Sequence, residues 1–208
     1  MREALARGAY SLLLRLATPA YFARLAWRAR REPDYGRWWG ERLGFGGGAA
    51  QPGRLWLHAV SLGETRAAAP LIEALRAQHP GLRLLLTHGT ATGREAGRAL
   101  LREGDAQAWL PYDTPGAVRR FLRHHRPAAG VVMETEIWPN VLHEAHAAGL
   151  PMVLANARLS IAARARAASC RPCCTRPCPV LLPCWRRRKA TRRACERPAR
   201  RTCRCWAT

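Results

Sequence analysis

Apolar and polar positions along the middle of the chain alternate between a strand pattern and a helix pattern. Apolar runs of strand length occur at residues 55–61, 82–87, 108–110, 130–133 and 151–155. Apolar residues at helical spacing fill the intervals, at residues 67–79, 92–102, 115–125 and 140–148. Five strands alternating with four helices predict an α/β fold, in which right-handed crossovers wind a parallel Rossmann-like sheet with helices on both faces.

The first 32 residues have a different pattern, which predicts an amphipathic helix. Arg15 and Pro19 interrupt its apolar run, so the segment matches neither a secretory signal nor a confident membrane span. Arginines follow the apolar residues, at Arg24, Arg28 and Arg30. This arrangement favours a helix lying in an anionic membrane interface, and the alternative is a helix packed on its own domain.

Glycine and proline define the next boundary. They are frequent in residues 33–54, so we expect a loop-rich connection between the N-terminal helix and a Rossmann-like domain at residues 55–160.

Charge and cysteine separate the last 48 residues from the rest of the chain. The chain has 35 Lys+Arg and 14 Asp+Glu, which give a net charge of +21. Residues 161–208 hold 14 Lys+Arg and 1 Asp+Glu, a net charge of +13. Residues 1–160 hold 21 Lys+Arg and 13 Asp+Glu, a net charge of +8. All eight cysteines lie after residue 160. So many charges and prolines leave little apolar surface to bury, so we expect residues 161–208 to be a disordered tail.

In a Rossmann-like sheet the ligand lies beyond the carboxyl ends of the strands. Ser61, Gly63 and Glu64 form the first such turn, which leads into a helix whose N-terminus favours an anion. Glu64 has two interpretations: a favourable partner of the helix dipole, or a general base that takes a proton from a substrate hydroxyl.

Two further loops fall at the same edge. Thr90 and Gly93 follow the second strand and could contact a phosphate or sugar, although threonines here, such as Thr92, commonly only cap a helix. Glu134 and Glu136 follow the fourth strand and could face one crevice; the alternative is a solvated acidic turn, or one paired with Arg158.

Other chemistries find less support in the sequence. Neither the dinucleotide fingerprint nor the P-loop motif occurs. The histidines before residue 161 lack ligand spacing joined to acidic or cysteine partners, so we predict no metal site and no cofactor.

The loop sequences taken together resemble the 3-deoxy-D-manno-octulosonic acid (Kdo) transferases. The matching motifs are His58-Ala-Val-Ser-Leu-Gly-Glu64, Leu110-Pro-Tyr-Asp113, Met133-Glu-Thr-Glu-Ile-Trp-Pro-Asn140 and Ala155-Asn-Ala-Arg-Leu-Ser160, with Trp39-Gly-Glu-Arg-Leu-Gly44 upstream. The resemblance covers residues 1–160 and implies the N-terminal, acceptor-binding half of a GT-B glycosyltransferase.

The resemblance also implies an activity and partners. Such an enzyme moves Kdo from CMP-Kdo to a lipid A precursor with inversion and without metal, on the cytoplasmic side of the bacterial inner membrane. Glu64 matches the family's catalytic base and Glu134 the acidic residue that stabilises the transition state. The CMP-binding half is not matched, so we expect a truncated chain that is inactive alone.

The resemblance ends after Ser160, where Arg, Cys, Pro and Ala come to dominate. Back-translation of residues 187–208 in a shifted frame can give a sequence similar to the family's continuation, so we expect the tail to result from a frameshift. Zinc binding lacks a completed cysteine set, and the tail has no recognisable nucleic-acid motif, so we expect no specific nucleic-acid partner. The remaining alternatives for function are a non-catalytic lipid- or saccharide-binding module and a basic nucleic-acid binder acting through the tail.

Overall fold

The computed structural model describes residues 2–46, 51–134 and 138–156, with side chains from Leu5 onward. The helices are α1 (Arg2–Ala29), α2 (Trp39–Arg42), α3 (Leu62–Gln78), α4 (Ala91–Arg98), α5 (Pro115–His125) and α6 (Pro139–Ala147), with a 3-10 turn at Pro33–Gly36. The strands are β1 (Leu55–His58), β2 (Leu84–His88), β3 (Ala106–Trp109), β4 (Ala129–Met133) and β5 (Met152–Ala155).

The five strands form one parallel sheet in the order β3-β2-β1-β4-β5. Leu57 lies opposite Leu86 on one side and Val131 on the other. The strand order reverses direction between β1 and β4, which is the switch point of a doubly wound sheet. The predicted α/β architecture is therefore confirmed.

Alternate residues of the central strands pack into two separate apolar layers. Trp56 and Leu85 pack with Phe121 of α5 and Val141 of α6. On the opposite face, Leu57, Leu84 and Leu86 pack with Ala68 and Ile72 of α3. This period of two buries both faces of the sheet, as a parallel sheet requires.

Element bounds differ from the sequence prediction where capping decides them. The first strand ends at His58 rather than residue 61, because Ser61 caps α3. Helix α3 therefore begins at Leu62, before the first apolar position of its pattern at Ala67, and it includes Glu64 in its first turn as expected. Helix α4 ends at Arg98 rather than 102, where turn hydrogen bonds at Leu100 and Leu101 take over.

Helix α1 packs on the domain with one face and is exposed on the other. Leu25 is buried with Tyr35 and Trp109, and the Tyr21 ring stacks on Tyr112 with 4.4 Å between centroids. The opposite face exposes large apolar side chains, namely Leu5, Leu12, Leu13, Leu16 and Trp27. The expectation of a helix packed on its own domain thus describes one face of α1, and the other face is exposed. In the described ranges, no helix is long and apolar enough to span a membrane.

The described first part of the predicted loop-rich connection, residues 33–46, contains a 3-10 turn and the short helix α2. Glu41 of α2 accepts a hydrogen bond from the backbone N–H of Trp109 (2.8 Å) and pairs with Arg94 (2.7 Å). Gly44 has a φ of 80° and lies against the Ala117 carbonyl, so a Cβ there would overlap that oxygen. The short helix is held by contacts with distant residues, which glycine content alone did not reveal.

Four of the sequence predictions lie outside the described residues. These are the position of Glu136, the alternative pairing with Arg158, the domain boundary at residue 160 and the disordered tail at 161–208.

Candidate functional site at the carboxyl edge of the sheet

The carboxyl ends of the central strands bring the predicted loops together. His58, the last residue of β1, lies opposite Thr87 of β2 and Val132 of β4. The turn after β1, the loop after β2 and Glu134 after β4 therefore share one edge of the sheet. Ser61 begins the first of these connections and Thr90 lies in the second.

The β1–α3 turn holds Glu64 in a reciprocal cap. The Glu64 backbone N–H donates to Ser61 Oγ (3.4 Å), and the Ser61 hydroxyl donates to Glu64 Oε1 (2.9 Å). Glu64 Oε2 accepts a hydrogen bond from the Val60 backbone N–H (2.8 Å). This is a variant of the capping box, in which the glutamate accepts from the hydroxyl of the N-cap serine and from the N–H of Val60, the residue before the N-cap. Glu64 is therefore fixed in orientation and only 8% exposed.

Gly63 leaves open space beside this carboxylate. A Cβ built at Gly63 would meet only the Ser61 Oγ, at 3.9 Å, which is ordinary contact. Packing within the described chain does not require a glycine here. The bare backbone of the first helical turn is thus accessible next to Glu64.

Thr90 and Gly93 have a structural explanation in the fold. Thr90 is the N-cap of α4: its hydroxyl accepts from the Gly93 N–H (3.2 Å) and donates to the Val60 carbonyl (3.0 Å). A Cβ at Gly93 would lie 3.0 Å from Val60 O and from the Ser61 carbonyl carbon. These two residues lock the β2–α4 loop onto the β1–α3 turn, and their binding of substrate stays a prediction. The cap is Thr90 rather than the Thr92 that the sequence suggested.

Glu134 is held in a conformation that L-residues rarely adopt. Its φ is 59°, and its backbone N–H donates to the Ala155 carbonyl (2.8 Å). Left-handed backbone at a non-glycine residue costs free energy and is concentrated at functional sites. The fold keeps this residue at the sheet edge despite that cost.

Two buried histidines lie beneath the edge. His58 Nδ1 is 2.9 Å from Thr87 Oγ1, and His88 Nδ1 is 3.0 Å from the Ala59 carbonyl. Burial lowers the pKa of His58 to about 3 and that of His88 to about 4. Both rings are therefore neutral at physiological pH and support the loops without adding charge.

Sequence reasoning missed Asp113 as an organising residue of this edge. It is 2% exposed and accepts hydrogen bonds from the Tyr10 hydroxyl (2.9 Å) and from the backbone N–H groups of Asn140 (3.2 Å) and Val141 (2.8 Å). Burial raises the pKa of Asp113 to about 6, against the lowering effect of these donors. The motif Leu110-Pro-Tyr-Asp113 was visible in the sequence, but its partners are too distant in the chain for spacing to reveal them.

Two cavities in the described residues lie away from this edge. One of about 280 Å³ is lined by Arg54, Gln107, His124 and His125, among others, and one of about 630 Å³ lies between α5 and α6. Neither is lined by a predicted site residue. Within residues 2–46, 51–134 and 138–156, no group of three or more His, Cys, Asp or Glu side chains could hold a metal ion.

Comparison with known proteins identifies the family. The family model described as 3-deoxy-D-manno-octulosonic-acid transferase (kdotransferase) matches residues 37–181. The chain belongs to the Kdo transferase family. The match includes every predicted site residue from Ser61 to Glu136, and it extends past residue 160, where the sequence resemblance was placed to end.

Relatives in this family include proteins from bacteria and a plant. The chain is 48% identical over 163 residues to the 3-deoxy-D-manno-octulosonic acid transferase of Bordetella pertussis, covering 74% of this chain and 38% of that protein. It is 36% identical over 153 residues to the transferase of the same name from Haemophilus influenzae, covering 73% and 36%. A probable mitochondrial Kdo transferase of Arabidopsis thaliana is 37% identical over 152 residues, covering 73% and 34%. The chain thus spans little more than a third of the length of these relatives.

Proposed function

We propose that this domain binds the acceptor in a Kdo transferase, which moves Kdo from CMP-Kdo to a lipid A precursor during lipopolysaccharide synthesis. The observation that carries the proposal is the oriented Glu64 carboxylate at the sheet edge, beside the strand end that holds Glu134. Both residues lie inside the segment that matches the family model.

Glu64 is proposed as the general base. Each carboxylate oxygen has two lone pairs, and the two accepted hydrogen bonds occupy one on each oxygen. One lone pair on either oxygen is left for a proton from the acceptor hydroxyl. As that hydroxyl oxygen bonds to the anomeric carbon of Kdo, its proton passes to Glu64 and the bond to CMP breaks. Fixed orientation by Ser61 and Val60 lowers the entropy cost of this alignment.

Glu134 is proposed to stabilise the positive charge that develops on the sugar in the transition state. Its left-handed backbone supports this role. Glycine adopts this φ at no steric cost, so a glutamate at the position is explained by a function of its side chain. Ser61, Gly63, Thr90, Gly93 and Glu136 are proposed to contact the substrates.

The exposed face of α1 is proposed to dock on the cytoplasmic surface of the bacterial inner membrane. Leu12, Leu13 and Leu16 are exposed there, and Arg15 and Arg24 are exposed on the same helix. Apolar side chains that enter the interface beside arginines that meet anionic headgroups are the features of an interfacial helix. Tyr10 and Ser11 bring α1 to the same sheet edge as Glu64, so a membrane-bound acceptor would arrive beside the proposed base.

A chimera tests the transferase proposal. Residues 1–156 would replace the matching segment of the Bordetella pertussis relative, and Kdo transfer to a lipid A precursor would be measured with purified protein. We expect the chimera to transfer Kdo within about tenfold of the parent rate. A folded chimera that binds the precursor but transfers nothing would contradict the proposal and favour a non-catalytic binding module.

Vesicle sedimentation tests the membrane proposal. The chain should pellet with vesicles that contain anionic lipid and much less with neutral ones. Leu12→Gln, Leu13→Gln and Leu16→Gln combined should release it, whereas Phe45→Gln, at an exposed apolar residue outside α1, should not. Equal pelleting of the triple variant and the parent would contradict the docking face.

A further inference from the structure

Helix α6 begins without a cap from its own sequence. Its N-cap residue is Trp138, whose side chain makes no capping hydrogen bond. The N–H groups of Asn140 and Val141 instead donate to the two carboxylate oxygens of Asp113, which is 27 residues earlier in the chain. A carboxylate at a helix N-terminus satisfies these donors and favours the helix dipole.

The same group of residues holds helix α1. The Tyr10 hydroxyl donates to Asp113 Oδ2 (2.9 Å), and the Ser11 hydroxyl lies 3.0 Å from Asn140 Oδ1. The Asn140 side-chain amide donates to the Asp113 backbone carbonyl (2.6 Å). Ser11, Asp113 and Asn140 are all buried. Helix α1, the β3–α5 loop and the start of α6 therefore meet in one buried polar cluster.

We propose that Asp113 is a positioning residue that couples the packing of α1 on the domain to the stability of the first turn of α6. Through α6 it also affects the position of Glu134. Asp113 Oδ2 is shared by Tyr10 and the Asn140 N–H, so a shift of α1 changes the acceptor on which α6 depends. The Glu134 N–H donates to the Ala155 carbonyl, and six residues later the Asn140 N–H donates to Asp113. The consequence for Glu134 rests on the proposed function, and the coupling itself does not.

A matched pair of tyrosine variants tests this coupling in the full chain. Tyr10→Phe removes the hydroxyl that donates to Asp113. Tyr21→Phe removes another tyrosine hydroxyl of α1, which accepts a hydrogen bond from Arg42 Nη1 (2.8 Å) and does not contact Asp113. Backbone amide exchange at Asn140 and Val141, followed by NMR, is the readout.

We expect Tyr10→Phe to raise exchange at these two amides about fivefold, the change that corresponds to one lost hydrogen bond. Tyr21→Phe should leave the exchange rates of these two amides unchanged, although it also weakens the packing of α1 on the domain. Ser11→Ala provides a second route, because it removes the α1 partner of Asn140 Oδ1 and should raise exchange at the same amides.

Two results would overturn the coupling. One is unchanged exchange in both Tyr10→Phe and Ser11→Ala; the other is an equal rise in Tyr10→Phe and Tyr21→Phe, which would show a general effect of α1 docking. The readout needs no sugar transfer. A chimera that fails to transfer Kdo would therefore contradict the proposed function and leave the coupling unaffected. Unchanged amide exchange would contradict the coupling and leave the proposed function unaffected.

Discussion

Two carboxylates lie at neighbouring strand ends, and the fold holds them in different ways. Glu64 is oriented by its own turn, through Ser61 and the Val60 N–H. Glu134 has a left-handed backbone, and Asn140, six residues later, is held by Asp113. The Glu64 carboxylate is thus oriented by its local sequence, whereas the N-terminus of α6 depends on a residue far away in the chain.

The largest expected effect comes from removing the remote support. Asp113→Asn replaces one acceptor oxygen by an NH₂ group facing buried donors, so we expect a loss of about 3 kcal/mol in the free energy of unfolding. Urea unfolding measures it. Asp34→Asn is the control, since its ion pairs with Arg37 and Arg98 are long and partly exposed, and it should cost under about 1 kcal/mol. Equal losses would show that the start of α6 does not depend on Asp113.

A pH effect of similar size should come from the histidine beneath the β1–α3 turn. Burial lowers the pKa of His58 from 6.5 to about 3, so the unfolded chain takes up a proton that the folded chain refuses. The stability that this group contributes is complete above pH 6.5 and is lost as the pH falls toward 3. Between pH 6.5 and pH 4 the loss is about 3 kcal/mol.

The slope of stability against pH checks this assignment. His58→Gln should make the decline between pH 6.5 and pH 4 shallower, whatever its cost at neutral pH; the rest of the decline comes from His88 and His125, whose pKa values burial also lowers. His79→Gln, at an exposed position, should keep the parent slope. If both variants keep it, His58 is not the source.

The smallest expected effect concerns the backbone of Glu134. Glu134→Gly and Glu134→Ala both remove the carboxylate, but only alanine keeps the Cβ that disfavours a φ of 59°. The glycine variant should be more stable by about 1 kcal/mol in thermal unfolding. An alanine variant of equal stability would mean that the left-handed conformation is not retained or not costly.

The sequence was sufficient where structure follows from short-range pattern. The strand and helix alternation of residues 55–155 gave the parallel sheet, and Ser61 with Glu64 gave a turn at its edge. The cap of α6 could not be predicted, because Asp113 and Asn140 become neighbours only when the sheet forms. The short helix α2 was missed for the same reason, since Glu41 is held by Arg94 and Trp109 from other elements. Helix α1 had two competing interpretations because one face packs and the other does not.

The measurement that bears most directly on the account is the rate of Kdo transfer by the chimera carrying Glu64→Gln, compared with Ser61→Ala. Glutamine keeps an acceptor for the turn but cannot take the proton, so we expect the rate to fall at least about 100-fold with binding of the lipid A precursor unchanged. Ser61→Ala removes half of the cap and keeps the carboxylate, so its rate should fall less than about tenfold. Equal, small losses in both variants would show that Glu64 only caps α3, and would contradict its role as the base.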